Sequence, residues 1–338
     1  MLRKHLLLIL AVLILILGGC ATRNTAWEEE NILTLIKEVP IVGDPLDISF
    51  DDENIYIALD QGGISIIDRT DYSQSWLTEL SADDNSVVTL YNIRSISVVG
   101  EHNRLFFNET YGADNITIVD TQDPDTLKVI DSITGATQDI QDMLVRAIPN
   151  PTDDNIIELL YCAGRNVHYG EYNGDLWLGS TFSIYPPVPA SGVALSEQYV
   201  FVAAEQRGLM IYDRETQELV SEIAVPGEAL KVTLAGDYAY IAGRQCGLSA
   251  VNISQIEEPV LMGNVETTGY ARTVDVWGNL AVVSSGGGGI YLFDISSPGN
   301  PRLIQNLSSV GYSNNARFCA GKLIVATRDQ GVLIYAID

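Results

Sequence analysis

A repeat of about 42 residues constrains the fold of this chain more than any other feature of its sequence. Four segments align without gaps, and they begin at Gly43, Gly227, Gly269 and Gly311. Five units continue through a turn into another apolar run, and these runs end at Asp68, Asp213, Asn252, Asp294 and Asp338. Weaker copies lie near Asp120 and Cys162, so the chain contains seven units.

Each unit has the pattern of short β-strands. Its apolar runs are 4–6 residues long, rich in β-branched and aromatic residues, and bounded by Gly, Asp and Asn. A fourth run follows in several units, as at 218–225, 259–265 and 301–307. Four short strands in about 42 residues are typical of a β-propeller blade, whereas a β-helix has a much shorter period.

The ends of the repeat predict how the propeller closes. The seventh unit has three apolar runs and reaches Asp338, while an extra run, NILTLIKEV at 31–39, precedes the first unit. Pairing these two segments would complete the seventh blade and remove two open sheet edges. We therefore expect an all-β, seven-bladed β-propeller over residues 31–338, closed by pairing the N-terminal strand with the C-terminal blade.

The repeat copies resemble a known family. The stretches ITIVDTQDPDTLKVI, LSAVNISQIEEPVLMGNV and IYLFDISSPGNPRLIQNL are similar to the LVIVD-repeat family of bacterial and archaeal surface proteins. The resemblance covers about residues 31–338 and is strongest in the last three blades. It implies a propeller, often at the cell surface, and it supplies no catalytic residues.

The first twenty residues have the pattern of an export signal. A cationic Arg3-Lys4-His5 precedes an apolar run of 12 residues, Leu6–Leu17, which leads into Leu17-Gly18-Gly19-Cys20. A membrane-spanning helix needs about 20 apolar residues, so a transmembrane anchor is the weaker interpretation. Leu-Gly-Gly-Cys resembles the lipobox of bacterial lipoproteins, which implies a diacylglycerol thioether on the Cys20 sulfur, palmitate as a lipid component, and cleavage before Cys20.

This signal predicts three segments: a signal peptide (1–19), the lipidated Cys20 with a tether (20–30), and the propeller (31–338). Ala21-Thr22 resembles the default signal for sorting to the outer membrane, on its periplasmic side or at the surface. The tether from Ala21 to Glu30 can reach at most about 35 Å when extended. We therefore expect a cell-envelope protein bound to a membrane through its N-terminal lipid.

The charge of the chain limits its partners. The formal net charge is −25, and removal of Arg3 and Lys4 with the signal leaves 17 basic and 44 acidic residues, a charge of −27. Such a field disfavours nucleic acid and anionic lipid surfaces. Hydrophobic residues make up 46% of the chain, which disfavours disorder.

The sequence offers few candidates for catalysis or metal binding. After the signal only His102 and His168 remain, and neither has neighbours at metal-ligand spacing. The glycine-rich segment 284–289 is predicted to be a turn between strands, because it lacks the Lys-Ser/Thr of a phosphate loop. We therefore expect no enzyme, no cofactor and no metal site.

Cysteines and acidic clusters leave two questions open. An exported chain permits a disulfide among Cys162, Cys246 and Cys319, although Cys162 and Cys319 have the surroundings of small core residues. The acidic clusters at 51–54, 120–125 and 153–155 are compatible with calcium binding and equally with turn formation.

Basic residues are predicted to gather on one face of the propeller. The turn between the second and third strands of a blade carries Arg165, Arg207, Arg244 and Arg328. The entry to the first strand carries Tyr270, Arg272, Tyr312 and Asn314, with Lys231 and Arg317 in adjoining strands. One hypothesis is a rim that concentrates an anionic partner, such as a carboxylate-rich peptide or an acidic sugar.

The alternative is that these arginines pair with Asp60, Glu205, Glu228 and Asp329 and stiffen the loops. Three functions therefore remain open. The first is a non-catalytic binding or scaffolding propeller for an envelope protein or anionic ligand. The second is a lactonase- or lyase-like enzyme that uses the channel, whose predicted axial residues are Asp47, Ser95, Gly192, Lys231, Thr273 and Asn315. The third is an accessory lipoprotein of outer-membrane protein assembly.

Overall fold

Seven β-sheets are arranged as the blades of a propeller in the computed structural model. It describes residues 30–82, 84–110, 116–123, 126–133, 139–148, 156–174 and 177–338. Cys20, the signal peptide and residues 21–29 lie outside the described residues, as do Asp125 and the acidic cluster at 153–155. Residues Asn31–Asp338 form one compact unit.

The strands have the following bounds. The N-terminal part contains β1 (Leu33–Val39), β2 (Asp47–Phe50), β3 (Asn54–Ala58), β4 (Ile64–Asp68), β5 (Gln74–Leu77), β6 (Glu79–Ala82), β7 (Val87–Thr89), β8 (Ile93–Val99), β9 (Arg104–Glu109), β10 (Ile116–Asp120) and β11 (Lys128–Ile133). The middle part contains β12 (Ile140–Ala147), β13 (Ile157–Ala163), β14 (Asn166–Tyr172), β15 (Trp177–Ile184), β16 (Gly192–Leu195), β17 (Tyr199–Ala203), β18 (Leu209–Asp213) and β19 (Leu219–Ile223). The C-terminal part contains β20 (Lys231–Ala235), β21 (Tyr238–Ala242), β22 (Leu248–Asn252), β23 (Val260–Val265), β24 (Thr273–Trp277), β25 (Leu280–Ser284), β26 (Ile290–Asp294), β27 (Arg302–Leu307), β28 (Ser313–Cys319), β29 (Lys322–Thr327) and β30 (Gly331–Ile337). One-turn 3₁₀ helices occupy Gly100–His102 and Ser308–Val310.

Blade one is β2–β5, blade two is β6–β11, and blades three to six are β12–β15, β16–β19, β20–β23 and β24–β27. Blade seven is β28–β30 with β1. Antiparallel pairing places Leu33 opposite Ile337 and Val39 opposite Val332. The predicted all-β propeller, its seven blades and its closure by the N-terminal strand are therefore confirmed.

Blade two differs from the predicted four-stranded pattern. The connection from blade one forms the hairpin β6–β7, and β6 pairs in parallel with β11, so that this blade has six strands. Leu80 and Leu90 of this connection are buried in the same apolar layer as Leu127. Burial of these side chains holds the hairpin against the outer edge of the blade.

Apolar layers between neighbouring blades form the core. Between blades three and four, for example, Leu160 and Cys162 pack with Val193 and Val202. Cys319 lies in the layer between blades seven and one. Both cysteines are buried and, like Cys246, unpaired. The prediction that Cys162 and Cys319 are small core residues is confirmed, and no disulfide joins the described cysteines.

Candidate ligand-binding face

The turns between second and third strands lie on the same face as the entries to the first strands, and we call this the upper face. Isolated bridges connect the two kinds of segment in neighbouring blades: Glu205 pairs with Ala229, Arg244 with Ala271 and Gly286 with Ser313. Glu205 and Arg244 have positive φ values of 41° and 47°, which turn each chain toward the next blade. On the upper face, the loops of blades four to seven are therefore fixed to one another.

The structure places the predicted rim residues on this face, and it brings five of them together across blades five to seven. The Arg244 guanidinium lies 5.5 Å from the centre of the Tyr270 ring, and that of Arg328 lies 4.5 Å from the Tyr312 ring. Between them, Arg272 Nη1 donates to Tyr312 Oη at 3.4 Å. We call these residues the arginine–tyrosine ladder. Stacking on tyrosine orients an arginine without neutralising it.

Ion pairs neutralise part of the rim. Arg244 pairs with Glu228, as the alternative hypothesis expected. Arg328 pairs with Asp44 at 3.3 Å instead of the expected Asp329, which accepts a hydrogen bond from the Tyr312 backbone N–H at 2.7 Å.

The other predicted rim cations are also near carboxylates. Arg207 contacts Glu222, with Nη2 to Oε1 at 2.6 Å, and both side chains are solvent-exposed. Lys231 pairs with Asp142, while Arg317 Nε lies 3.6 Å from Asp275 Oδ2. Of these pairs, Arg207–Glu222 is the exposed one, and water screens its attraction.

Three arginines on the upper face have no carboxylate within 4 Å among the residues that the structure describes: Arg94, Arg165 and Arg272. Arg94 was missed in the sequence analysis. It follows Ile93, which bridges to Asp60, just as Arg272 follows Ala271, which bridges to Arg244. Alignment of IRSISVV with ARTVDVW would have shown this correspondence. Within the described ranges, these guanidinium groups are therefore not neutralised by an ion pair.

Inside the rim, the predicted axial residues do lie at the upper ends of the innermost strands. Asp142 of blade three occupies the equivalent axial position, which the sequence analysis did not identify because the third repeat is weak. Its Oδ2 atom accepts a hydrogen bond from Val193 N at 2.9 Å, and Asp275 Oδ2 accepts one from Phe318 N at 2.8 Å. These carboxylates therefore connect each inner strand to the next blade.

Asp47 makes the same kind of connection between blades one and two. Its Oδ2 accepts from Ile96 N at 3.0 Å, and its Oδ1 accepts from Asn315 Nδ2 at 2.7 Å. Burial raises the pKa of Asp47, although Arg317 and Lys231 oppose this shift. The carboxyl group is thus shared between two neighbouring blades.

The remaining candidate residues have local roles. His102 lies in a 3₁₀ turn, and His168 Nδ1 lies 2.9 Å from Ser183 Oγ, with burial lowering the pKa of His168. The segment 284–289 connects β25 and β26, as predicted. Asp51 accepts hydrogen bonds from the backbone N–H groups of Glu53 and Asn54, as turn residues do. No group of three potential metal ligands occurs within the described ranges.

A concave surface lies on the opposite face, which we call the lower face. A cleft of about 1010 Å³ crosses blades one to three, and its lining includes Asp52, Glu53, Asp68 and Glu101 with a single arginine, Arg146. The sequence analysis did not predict this cleft. In the described part of the chain, no helix has the length and hydropathy to cross a bilayer.

Together, these features define a seven-bladed β-propeller with a loop-built upper face around its axis. The family described as LVIVD repeat matches residues 189–213, 226–267 and 268–308, which are in blades four to six. The expected resemblance is thus found. It covers blades four to six, whereas it was predicted to be strongest in blades five to seven.

Solved structures agree on the fold. One titled "Structure of U3-55K" is 11% identical, covers 91% of this chain and 99% of its own, and superposes with a TM-score of 0.70. At this identity the similarity shows the fold alone. A comparison with curated proteins gave no significant match.

Proposed function

We propose that this chain is an exported lipoprotein, held at the cell envelope by lipid on Cys20, whose propeller binds a partner without catalysis. The export signal and lipobox support the anchor, with sorting to the outer membrane, on its periplasmic side or surface. The LVIVD repeats and the fixed loops of the upper face support a binding or scaffolding role.

The observation that carries the proposed binding role is the arginine–tyrosine ladder. The Arg272 guanidinium contacts the Tyr312 hydroxyl and, in the described part of the chain, no carboxylate. Tyr270 beside it is 49% exposed. An exposed arginine fixed by an aromatic neighbour is suited to a carboxylate of a partner, because the guanidinium presents a planar set of donors. The partner is therefore an envelope protein or other ligand that presents carboxylates.

The channel supports a non-catalytic role. The carboxylates of Asp47, Asp142 and Asp275 accept backbone hydrogen bonds from the following blades. Each of them is thereby engaged in joining blades, whereas a lactonase- or lyase-like enzyme would need such groups for its substrate.

Replacing Arg272 with alanine tests the proposed binding face. Polyglutamate serves as the carboxylate-bearing probe, measured by calorimetry at low ionic strength. We expect Arg272→Ala to weaken binding by about threefold to tenfold, and the difference to shrink at high salt because exposed charges are screened.

The matched control is Arg302→Ala, in an outer strand, where the native arginine pairs with Asp294 at 3.2 Å. This variant should bind polyglutamate as the unmodified protein does. Equal affinities for the unmodified protein and Arg272→Ala would contradict the proposed face.

A further inference from the structure

The upper-face turn of blade six, residues 286–289, consists of four glycines. Two of them are required by close contacts, since a Cβ atom would lie 1.9 Å from Thr268 O at Gly288 and 2.2 Å from Leu307 O at Gly289. Gly287 differs, because a Cβ atom there would have no described atom within 4 Å and its φ is not positive. The local packing therefore does not require glycine at position 287.

Gly287 leaves a gap in the rim of the upper face. The equivalent turns of blades one, four and five carry exposed glutamines at this position: Gln61, Gln206 and Gln245. In all four turns the next residue donates its backbone N–H to the carbonyl three residues earlier, at 2.8–2.9 Å, so the same backbone accepts a long side chain. We call the gap over residues 286–288 the glycine notch. Its floor is main chain, which permits close approach of a partner's backbone.

Two residues of the arginine–tyrosine ladder flank the glycine notch. A Cβ atom at Gly286 would lie 3.2 Å from Cζ of the Tyr312 ring, which therefore stands beside the notch. On the other side, Tyr270 N donates to Ser285 O at 3.1 Å. A segment that crosses the notch would thus contact the ladder directly.

Exposed apolar side chains continue from the notch into blades one and two. Tyr270 is 49% exposed, Val42 is 64% exposed and Tyr91 is 49% exposed. Each of them lies just before the first inner strand of its blade, in blades six, one and two. Tyrosine in such a position supplies a large contact area at a protein interface.

Contacts between blades connect this part of the face. Arg328 of blade seven lies 3.3 Å from Asp44, which follows Val42 by two residues in blade one. Asp60 of blade one and Ile93 of blade two exchange backbone hydrogen bonds of 3.0 Å. The surface from the glycine notch to Tyr91 is therefore one continuous arc, which we call the upper arc.

Arginines alternate with the apolar side chains of the upper arc. Arg272 follows Tyr270 by two residues, and Arg94 follows Tyr91 by three. Both arginines are exposed, and neither has a carboxylate within 4 Å among the described residues. The upper arc therefore complements a partner in which carboxylates alternate with apolar groups.

We propose that the upper arc binds an acidic segment of a protein that carries aromatic or aliphatic side chains among its carboxylates. The backbone of the segment crosses the glycine notch, and its carboxylates contact Arg272 and Arg94. An acidic polysaccharide also presents carboxylates, but it has no side chain to cover Val42 or Tyr91. This inference rests on the proposed carboxylate-binding role of the same face and names the class of partner.

The first test compares three anionic probes by calorimetry on the full-length protein in a zwitterionic detergent. A random glutamate–tyrosine copolymer should bind about tenfold more tightly than polyglutamate, because it adds apolar contacts. This difference should persist at high salt, since salt screens charges but does not weaken apolar contacts. Polygalacturonate, which represents an acidic sugar, should bind no more tightly than polyglutamate.

The second test fills the glycine notch. Gly287→Gln introduces the side chain that blades one, four and five carry, so the free energy of unfolding should stay the same or rise slightly. The variant should bind the copolymer about threefold to tenfold more weakly, because the added side chain blocks the crossing segment. Ser297→Gln is the matched control, which places the same side chain in an exposed turn on the lower face of blade six. It should bind the copolymer normally.

The third test removes an apolar side chain at the far end of the upper arc. Tyr91→Ser should weaken binding of the copolymer by about threefold and leave binding of polyglutamate unchanged. Tyr185→Ser is the matched control, because Tyr185 is 71% exposed but precedes the first strand of blade four, outside the upper arc.

The outcomes separate this inference from the proposed function. If polyglutamate binding depends on Arg272 but the copolymer binds no more tightly, or if Gly287→Gln retains full affinity for the copolymer, the protein segment is wrong and the carboxylate-binding face stands. Tighter binding of polygalacturonate than of the copolymer would also overturn the inference and identify an acidic sugar. If neither polymer depends on Arg272, both proposals fail.

Discussion

In several blades, the glycine immediately before the third strand adopts a left-handed backbone conformation. At Gly247 φ is 76°, and a Cβ atom would lie 2.2 Å from the carbonyl oxygen of Val265. The equivalent Gly63, Gly208 and Gly289 have φ values of 77°, 82° and 76°. In these four blades, glycine therefore stands where a Cβ atom would clash with the carbonyl oxygen of the last residue of the fourth strand.

Replacing Gly247 with alanine should therefore lower the free energy of unfolding by more than about 2 kcal/mol, from the left-handed conformation and the clash together. Gly236→Ala is the matched control. Its φ is also positive, at 55°, but a Cβ atom there would meet nothing within 4 Å, so the loss should be about 1 kcal/mol. Chemical denaturation of both variants measures the difference, and equal losses would contradict the role of the close contact.

Asp47 should make stability depend on pH in the direction opposite to most carboxylates. Burial raises the pKa of Asp47 in the folded protein above 3.8. The stability that Asp47 contributes is therefore complete below pH 3.8, and it is lost as the pH rises through the raised folded value. Relative to Asp47→Asn, the unmodified protein should lose stability across this window. The measurement is the free energy of unfolding of both proteins as a function of pH.

Asp213 is the control for the sign of this effect. Hydrogen bonds from Thr216 lower the pKa of Asp213, so its contribution is present above pH 3.8 and is lost as pH falls through the folded value. Relative to Asp213→Asn, the unmodified protein should therefore gain stability as pH rises. Slopes of the same sign for both substitutions would contradict a pKa of Asp47 that is raised by burial.

At the scale of elements, β1 is held to the propeller by a residue of the neighbouring blade. Gln305 of β27 is buried, and its Oε1 accepts hydrogen bonds from Ile32 N at 3.2 Å and Leu33 N at 3.1 Å. At the same end of the pairing, Asp338 N donates to Ile32 O at 2.9 Å. The start of the closing strand therefore depends on blade six as well as on blade seven.

Gln305→Leu removes this acceptor and leaves two backbone N–H groups unpaired, at a cost of about 1–3 kcal/mol each. We expect faster hydrogen exchange in β1 than in the unmodified protein, with β12–β15 unchanged. Gln330→Leu, which removes only an exposed hydrogen bond to Ser309, should leave β1 protected. Equal protection of β1 in both variants would contradict this role.

The sequence predicted those elements that repeat. Glycines, β-branched runs and turn residues recur in each unit, so strand positions, blade number and closure could be read from local patterns. The β6–β7 hairpin could not, because it occurs once and its pairing depends on the burial of Leu80 and Leu90. Its two short runs around the turn at Asn85 (φ 62°) were the available signal.

The candidate site was predicted in position but only partly in its contacts. Loop placement follows from the repeat, and it located the rim arginines. Ion-pair partners depend on which side chains meet across blades, as with Arg328 and Asp44, which are 284 residues apart. Arg94 and Asp142 were missed because blades two and three have weaker repeats, and each has an irregularity near the start of its inner strand.

At the scale of the whole molecule, the chain combines a net charge of −25 with an upper face on which three arginines have no carboxylate partner among the described residues. That contrast favours a partner whose carboxylates reach the rim while the rest of the surface repels other anions. The proposed lipid anchor would keep the propeller at the cell envelope. The anchor is therefore the claim on which the proposed location and partner both depend.

Mass spectrometry of the protein purified from bacterial membranes tests the anchor directly. We predict that the chain begins at Cys20 and carries lipid on that residue. Cys20→Ala should keep residues 1–19 and lack the lipid, whereas Cys246→Ala should be processed normally. A membrane-derived protein with an unmodified Cys20, or a Cys20→Ala variant cleaved at the same place, would contradict the account.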